Sequence, residues 1–171
     1  MNVQTVSIDG REQSVSIDCM ELNLHHVPWM VSFHDDEDSI LVWTRRPHRV
    51  VLHGSPNRIL VIGELNNLSE PASSQQRSIP LATATDQEVT VRDMSGTESV
   101  LSFAQVDFSL DGIPVSLRFD GLAAGILVSS ETRTRLAIEF SAANCLRVRA
   151  ERSVRQTRDS PPDGPGADAG A

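Results

Sequence analysis

All five histidines of this 171-residue chain, His25, His26, His34, His48 and His53, fall between residues 25 and 53, and His34 opens the run His34-Asp35-Asp36-Glu37-Asp38. Imidazole and carboxylate are the donors that suit zinc, iron, nickel or manganese, so strand ends and a loop that converged His25, His26 and His34 would hold a divalent metal. A metal-free chemistry uses His34 as general base, tuned by Asp36, on a small organic substrate. Histidine is the one side chain here whose ordinary pKa, roughly 6.5, suits proton transfer near neutrality. Neither chemistry has a complete motif behind it: the chain has no HExxH, no CxxC pair, no EF-hand loop, no GxSxG and no GxGxxG. The simpler reading therefore takes precedence, in which Asp35 to Asp38 form a solvated hairpin loop and the histidines are surface or hydrogen-bonded residues.

Charge layout is the second chemical feature. Residues 1 to 44 hold eight acidic side chains and one arginine, after which Arg45, Arg46, Arg49 and Arg58 cluster with His48 and His53. Guanidinium forks onto carboxylate or phosphate, so Arg45, Arg46, His48 and Arg49, with Trp29 and Trp43 beside them, make a candidate patch for a protein partner or a small anionic ligand. Internal pairing with the acidic loop is the competing use of the same arginines. A later series, Arg147, Arg149, Arg152, Arg155 and Arg158, has the look of an arm for nucleic acid or an acidic partner. No aromatic residue interleaves to stack on bases, and the net charge of -8 repels polyanions, which argues against nucleic acid and against an anionic membrane.

All fifteen cations are arginine, and there is no lysine and no tyrosine. A Schiff-base lysine, a P-loop lysine and a tyrosine acid are thereby excluded. Proton transfer near neutral pH is left to the histidines and carboxylates of residues 25 to 53, or to a perturbed cysteine. Cys19 and Cys145, far apart and without a CxxC partner, read as two reduced, buried thiols, which points to a cytoplasmic chain. Met1 to Gly10 carry no basic leader, and the longest strongly apolar block, Ile59-Leu60-Val61-Ile62, is too short to span a bilayer.

The elements that must position these groups have a period of two. Val106, Phe108 and Leu110 alternate with polar residues, Asp111-Gly112 turns the chain, and Val115, Leu117 and Phe119 alternate again, which is the pattern of a half-buried hairpin. Val6-Ser7-Ile8, Asp9-Gly10 and Val15-Ser16-Ile17 repeat that grammar near the start, over too short a span to establish an internal repeat. Strands are expected over Val27 to His34, Ser39 to Arg46, His48 to His53 and Asn57 to Leu65, broken by Asp35 to Asp38, Pro47 and Gly54-Ser55-Pro56. Pairing of the first two through the acidic loop puts Trp29, Val31 and Phe33 on one face with Ile40 and Val42, and Met30 and Ser32 on the other with Leu41 and Trp43. Further strands are expected near Val89 to Arg92, Ser99 to Leu110, Ile113 to Phe119, Gly125 to Ser129 and Arg133 to Phe140. From Asn144 the chain suits either a strand with Arg147 and Arg149 outward or a helix, and the strand is favoured.

These signs lead to an all-β domain over residues 1 to 152, an antiparallel β-sandwich or small barrel. It carries a long polar loop at 66–86 and a Pro- and Gly-rich tail from 153 on that is expected to be disordered. The functional expectation is a non-catalytic binding or accessory protein that presents the acidic loop and the arginine–histidine patch, with no cofactor required. Its alternatives are a small β-barrel enzyme, by acid–base or metal chemistry, and a structural subunit that lends a β edge to an assembly.

Overall fold

Alternation of apolar and polar residues sets fifteen strands among the described residues. In chain order they are β1 (Val3–Ile8), β2 (Arg11–Ser16), β3 (Cys19–Leu24), β4 (Val27–His34), β5 (Ser39–Thr44), β6 (His48–Ser55), β7 (Arg58–Leu65), β8 (Ser74–Gln75), β9 (Gln87–Arg92), β10 (Glu98–Phe103), β11 (Gln105–Leu110), β12 (Ile113–Asp120), β13 (Gly125–Ser130), β14 (Thr134–Ala142) and β15 (Cys145–Arg152). A 3-10 turn over Asp35–Glu37 joins β4 to β5. The structure, a computed structural model, describes residues 3–45, 48–65 and 84–153 and the backbone of Ser74–Gln75. Arg46, most of the polar loop at 66–86 and the tail from 154 on lie outside the described residues.

Two sheets pack face to face, the sandwich of the two expected alternatives. One has eight strands in the order β2-β1-β11-β12-β13-β7-β6-β8, the other seven in the order β10-β9-β3-β4-β5-β15-β14. Neighbours are antiparallel except for β8, which runs parallel to β6 beside Leu52 and His53. The core lies between the sheets and includes Trp29, Val31, Ile40 and Val42 from the smaller sheet, with Val61, Val106, Val115 and Leu117 from the larger. Phe33 and Phe108 meet across it edge to face, ring centres 5.1 Å apart. No helix of the described residues is long and apolar enough to cross a membrane.

Two stretches differ from the sequence expectation, and a third, open between strand and helix, takes the favoured strand. The run Ser99 to Leu110, read as one strand, is β10 in the smaller sheet and β11 in the larger. Its inward parity breaks at Ala104, so that Phe103 and Val106 both reach the core. β3 was not anticipated, although Met20, Leu22 and Leu24 alternate with Glu21 and Asn23 and are buried. The C-terminal segment settles as a strand, with Arg147 opposite Leu41 on one side and Glu139 on the other.

The strand orders are also the same order twice. β1 to β7 map onto β9 to β15 one for one, and exchanging the two sets converts the order of seven strands in the larger sheet into that of the smaller. The registers agree as well: Trp29 pairs with Thr44 as Val115 pairs with Ser130. Val42 pairs with Leu146 as Val128 pairs with Ile59, and Arg49 pairs with Glu64 as Arg135 pairs with Glu151. Even the hydrogen bonds that tie the outer hairpins come as a reciprocal pair. Val50 N–H donates to the Ala143 carbonyl at 2.9 Å, and Leu136 N–H donates to the Pro56 carbonyl at 2.7 Å. Identical residues fall at matched places, among them Pro28 and Pro114, Phe33 and Phe119, Asn57 and Asn144, and the triplets Ile40-Leu41-Val42 and Ile126-Leu127-Val128. The chain is an internal duplication whose two copies interlock, since each sheet contains strands of both.

Candidate functional site

The metal candidates are not brought together. His25 and His26 form the β3–β4 turn, whereas His34 lies at the far end of β4. Eight residues of extended chain put about 25 Å between the two ends. His25 Nε2 donates to the Gly121 carbonyl, and His34 Nε2 is 3.0 Å from Ser32 Oγ. Among the described residues no group of three or more His, Cys, Asp or Glu is arranged to hold an ion. Asp36 sits exposed on the 3-10 turn, two residues beyond His34.

Of the described candidate arginines, Arg45 is the more exposed and makes a long ion pair with Glu21. Its side chain is 66% exposed, and its Nη2 is 4.0 Å from Glu21 Oε2. His48 Nδ1 donates to the Arg45 carbonyl at 3.2 Å, fixing the corner where the chain leaves β5. Arg49 is engaged internally: its side chain is 11% exposed and its Nη2 is 3.3 Å from Glu64 Oε2. The two tryptophans lie on opposite faces of the smaller sheet, as parity requires. Trp29 is in the core, and Trp43 is half-buried on the outer face, opposite Met30 and Cys145.

That outer face collects most of the remaining chemistry. In one row across it stand Thr90, Glu21, Met30, Trp43 and Cys145, and in the next Arg92, Cys19, Ser32, Leu41 and Arg147. Arg45 closes one end. The acidic turn closes the other, where Glu37 makes an ion pair with Arg147. Cys19 and Cys145 are free thiols three strands apart, about 14 Å by strand spacing, too far for a disulfide. Burial pushes the Cys19 thiol up, against a smaller opposing pull from Arg92, so it stays protonated and a weak nucleophile.

Concavities lie on and beside the face, among them a hollow of about 210 Å³ between β14 and β15 where Glu139 and Glu151 stand with Arg147 and Arg149. A groove of about 440 Å³ opens where β3 and β9 diverge after only three paired residues, with Glu21, Asn23, Pro28, Arg45 and Glu88 on its walls. A wider cleft of about 710 Å³ separates β6 from β14, with Leu52, Ile59, Leu136 and Ile138 on its floor and His53 and Arg135 at its rim. Arg135 and Met30 carry no site reading in the sequence, and Arg147 enters there only as part of the arginine series read as an arm for nucleic acid or an acidic partner. Their shared signal, outward parity on strands that become neighbours, needs the strand order to be seen.

No protein-family model matches the chain, and no curated protein and no solved structure matches it either.

Proposed function

We propose that this chain is a non-catalytic binding or accessory protein, cytoplasmic, which offers the outer face of its seven-stranded sheet to a protein partner. One observation carries the reading. Met30, Leu41 and Trp43 form a half-buried apolar centre on a sheet face with charged ends, Arg45 at one and the Asp35–Glu37 turn with Arg147 at the other. An apolar centre with a polar rim is the anatomy of a protein–protein contact.

The experiment is affinity capture from a lysate of the source cells with the tagged full chain and two variants, Trp43→Ala and Arg45→Glu. Both residues are outward, so the fold should survive, which circular dichroism checks. Partner recovery should fall about tenfold for Trp43→Ala, as befits an aromatic anchor, and less for Arg45→Glu at the rim. Recovery equal to that of the unaltered chain in both variants refutes the reading.

A further inference from the structure

The seven-stranded sheet ends on β10 and β14, and β2, the match of β10 in the other copy, ends the eight-stranded sheet. A bare edge is a template for another strand, so edges are normally guarded by charge, proline or a bulge. β14 is guarded: it carries Arg135 and Glu139, its register slips between Phe140 and Ala142, and its Leu136 N–H is taken by the Pro56 carbonyl. β10 has none of these devices. Its one charge, Glu98, is neutralised by Arg92 Nη2 at 2.7 Å, and it pairs with β9 along its whole length without a slip.

Asp93 N–H donates to the Thr97 carbonyl at 3.1 Å, which sets the ladder: Thr97, Ser99, Leu101 and Phe103 exchange hydrogen bonds with β9. Glu98, Val100 and Ser102 therefore turn their N–H and C=O groups to the open edge, where they have no backbone partner among the described residues. The turn that leads into β10 is stiff. Asp93 Oδ1 accepts from the Ser95 and Thr97 N–H groups at 2.8 and 3.0 Å, so the edge is held in place before anything docks on it.

The duplication supplies an internal control. Glu98, Val100 and Ser102, outward on β10, match Glu12, Ser14 and Ser16 on β2, so the outward sides of the two edges differ at one position. Val100, which replaces Ser14, is 57% exposed, and Met94 on the adjoining turn is 67% exposed. A second copy of the chain fits this edge by symmetry. Antiparallel pairing about a twofold axis normal to the sheet at Val100 sets Val100 against Val100, Glu98 against Ser102 and Ser99 against Leu101. Every N–H and C=O group that β10 leaves open then has a partner, the valine packs on its own image, and no like charges are opposed.

We propose that β10 is a self-association edge, through which two copies of this chain pair β10 to β10 about Val100 and fuse their seven-stranded sheets into one. This goes beyond the docking reading above and does not rest on it. The axis keeps both outer faces on the same side, so the dimer offers two copies of the surface that carries Trp43 and Arg45.

The test is sedimentation velocity of the full chain from about 1 to about 200 μM. A monomer–dimer equilibrium with a dissociation constant on the order of 10 μM is expected for an interface as small as one strand edge. Val100→Ser, which copies the β2 edge, should weaken association about tenfold. Val100→Lys and Val100→Glu, each of which opposes like charges across the axis, should be monomeric over the whole range with an unchanged circular dichroism spectrum. An equimolar mixture of these two charged variants should dimerise again, because position 100 of one copy meets position 100 of the other. The proposal is overturned by an unaltered chain that stays monomeric at about 200 μM, by a dimer that persists in Val100→Lys, or by a mixture that does not re-form one. Should the charged variants lose their fold, Val100→Ser decides, and association as strong as that of the unaltered chain overturns the proposal.

Discussion

The β3–β4 reversal places two consecutive histidines, His25 and His26, at φ 47° and 67°. The matched hairpin, β11–β12, turns through Asp111-Gly112 at φ 50° and 72°. A side chain with a Cβ pays roughly 1–2 kcal/mol for the left-handed region, and glycine pays little there. His26→Gly should accordingly raise stability by about 0.5–1 kcal/mol, seen as a higher urea midpoint at unchanged slope. A lower midpoint would show that the His26 ring makes a contact worth more than the strain. Nothing in the sequence marks His25-His26 as a turn, because its correspondence with Asp111-Gly112 emerges only when the strands are matched. For the same reason the histidine cluster looked like one constellation. Spacing along the chain does not reveal that a strand of eight residues holds His34 far from the pair.

At the scale of elements, one contact between sheets shows how the copies have diverged. Trp29 on β4 crosses the core to Gly63 on β7, where an added Cβ would lie 3.3 Å from the indole Cζ2 and 2.6 Å from Val27 Cγ1. The matched residues in the other copy are Val115 and Ala150, both buried, a smaller side chain in place of the indole and a methyl in place of the glycine hydrogen. Gly63→Ala alone should destabilise by about 1–3 kcal/mol through overpacking, and Trp29→Val alone by about 3 kcal/mol through the cavity it leaves. The double variant should recover at least about 1 kcal/mol relative to the sum of the two, measured by a denaturation cycle. Simple additivity would mean that the two positions do not share space. The alternation in β4, β5, β11 and β12 was plain in the sequence because each keeps one parity from end to end. It failed at Ala104, where the inward face switches within an unbroken apolar run, and before Val27, where the His-His turn hid β3. The outward apolar row that makes the candidate site was only half legible. Parity puts Met30 with Trp43, but no local signal says that β15 will supply Arg147 and Arg149 beside them.

For the molecule as a whole, the interlocking of the two copies governs how it comes apart. β1, β2, β6 and β7 belong to the same sheet as β11, β12 and β13, and β3, β4 and β5 to the same sheet as β9, β10, β14 and β15. Cutting the chain between β7 and β9 therefore severs no ladder in the core of either sheet. A protease site engineered into that segment and cleaved should yield two fragments that still elute together under native conditions and part only in denaturant. Fragments that separate on cleavage would contradict the strand exchange. Long separations in sequence accompany this arrangement, Thr5 finding its partner in Asp107 and Trp43 in Cys145, which places the chain among slow folders.

The identical triplets Ile40-Leu41-Val42 and Ile126-Leu127-Val128 give that slowness a direction. β7 natively zips against the second triplet, which leaves the ribosome long after β7 does, while the first triplet is already made and waiting. During synthesis the nascent chain thus holds a decoy for β7 with the same side chains in the same order as the true mate. Accepting it would consume the edge of β5 that β15 needs. Correct assembly depends on β7 and β5 staying apart until the second copy is complete, so the step most exposed to error is a choice between two strands told apart only by what flanks the triplet, Trp43-Thr44 in β5 and Ser129-Ser130 in β13.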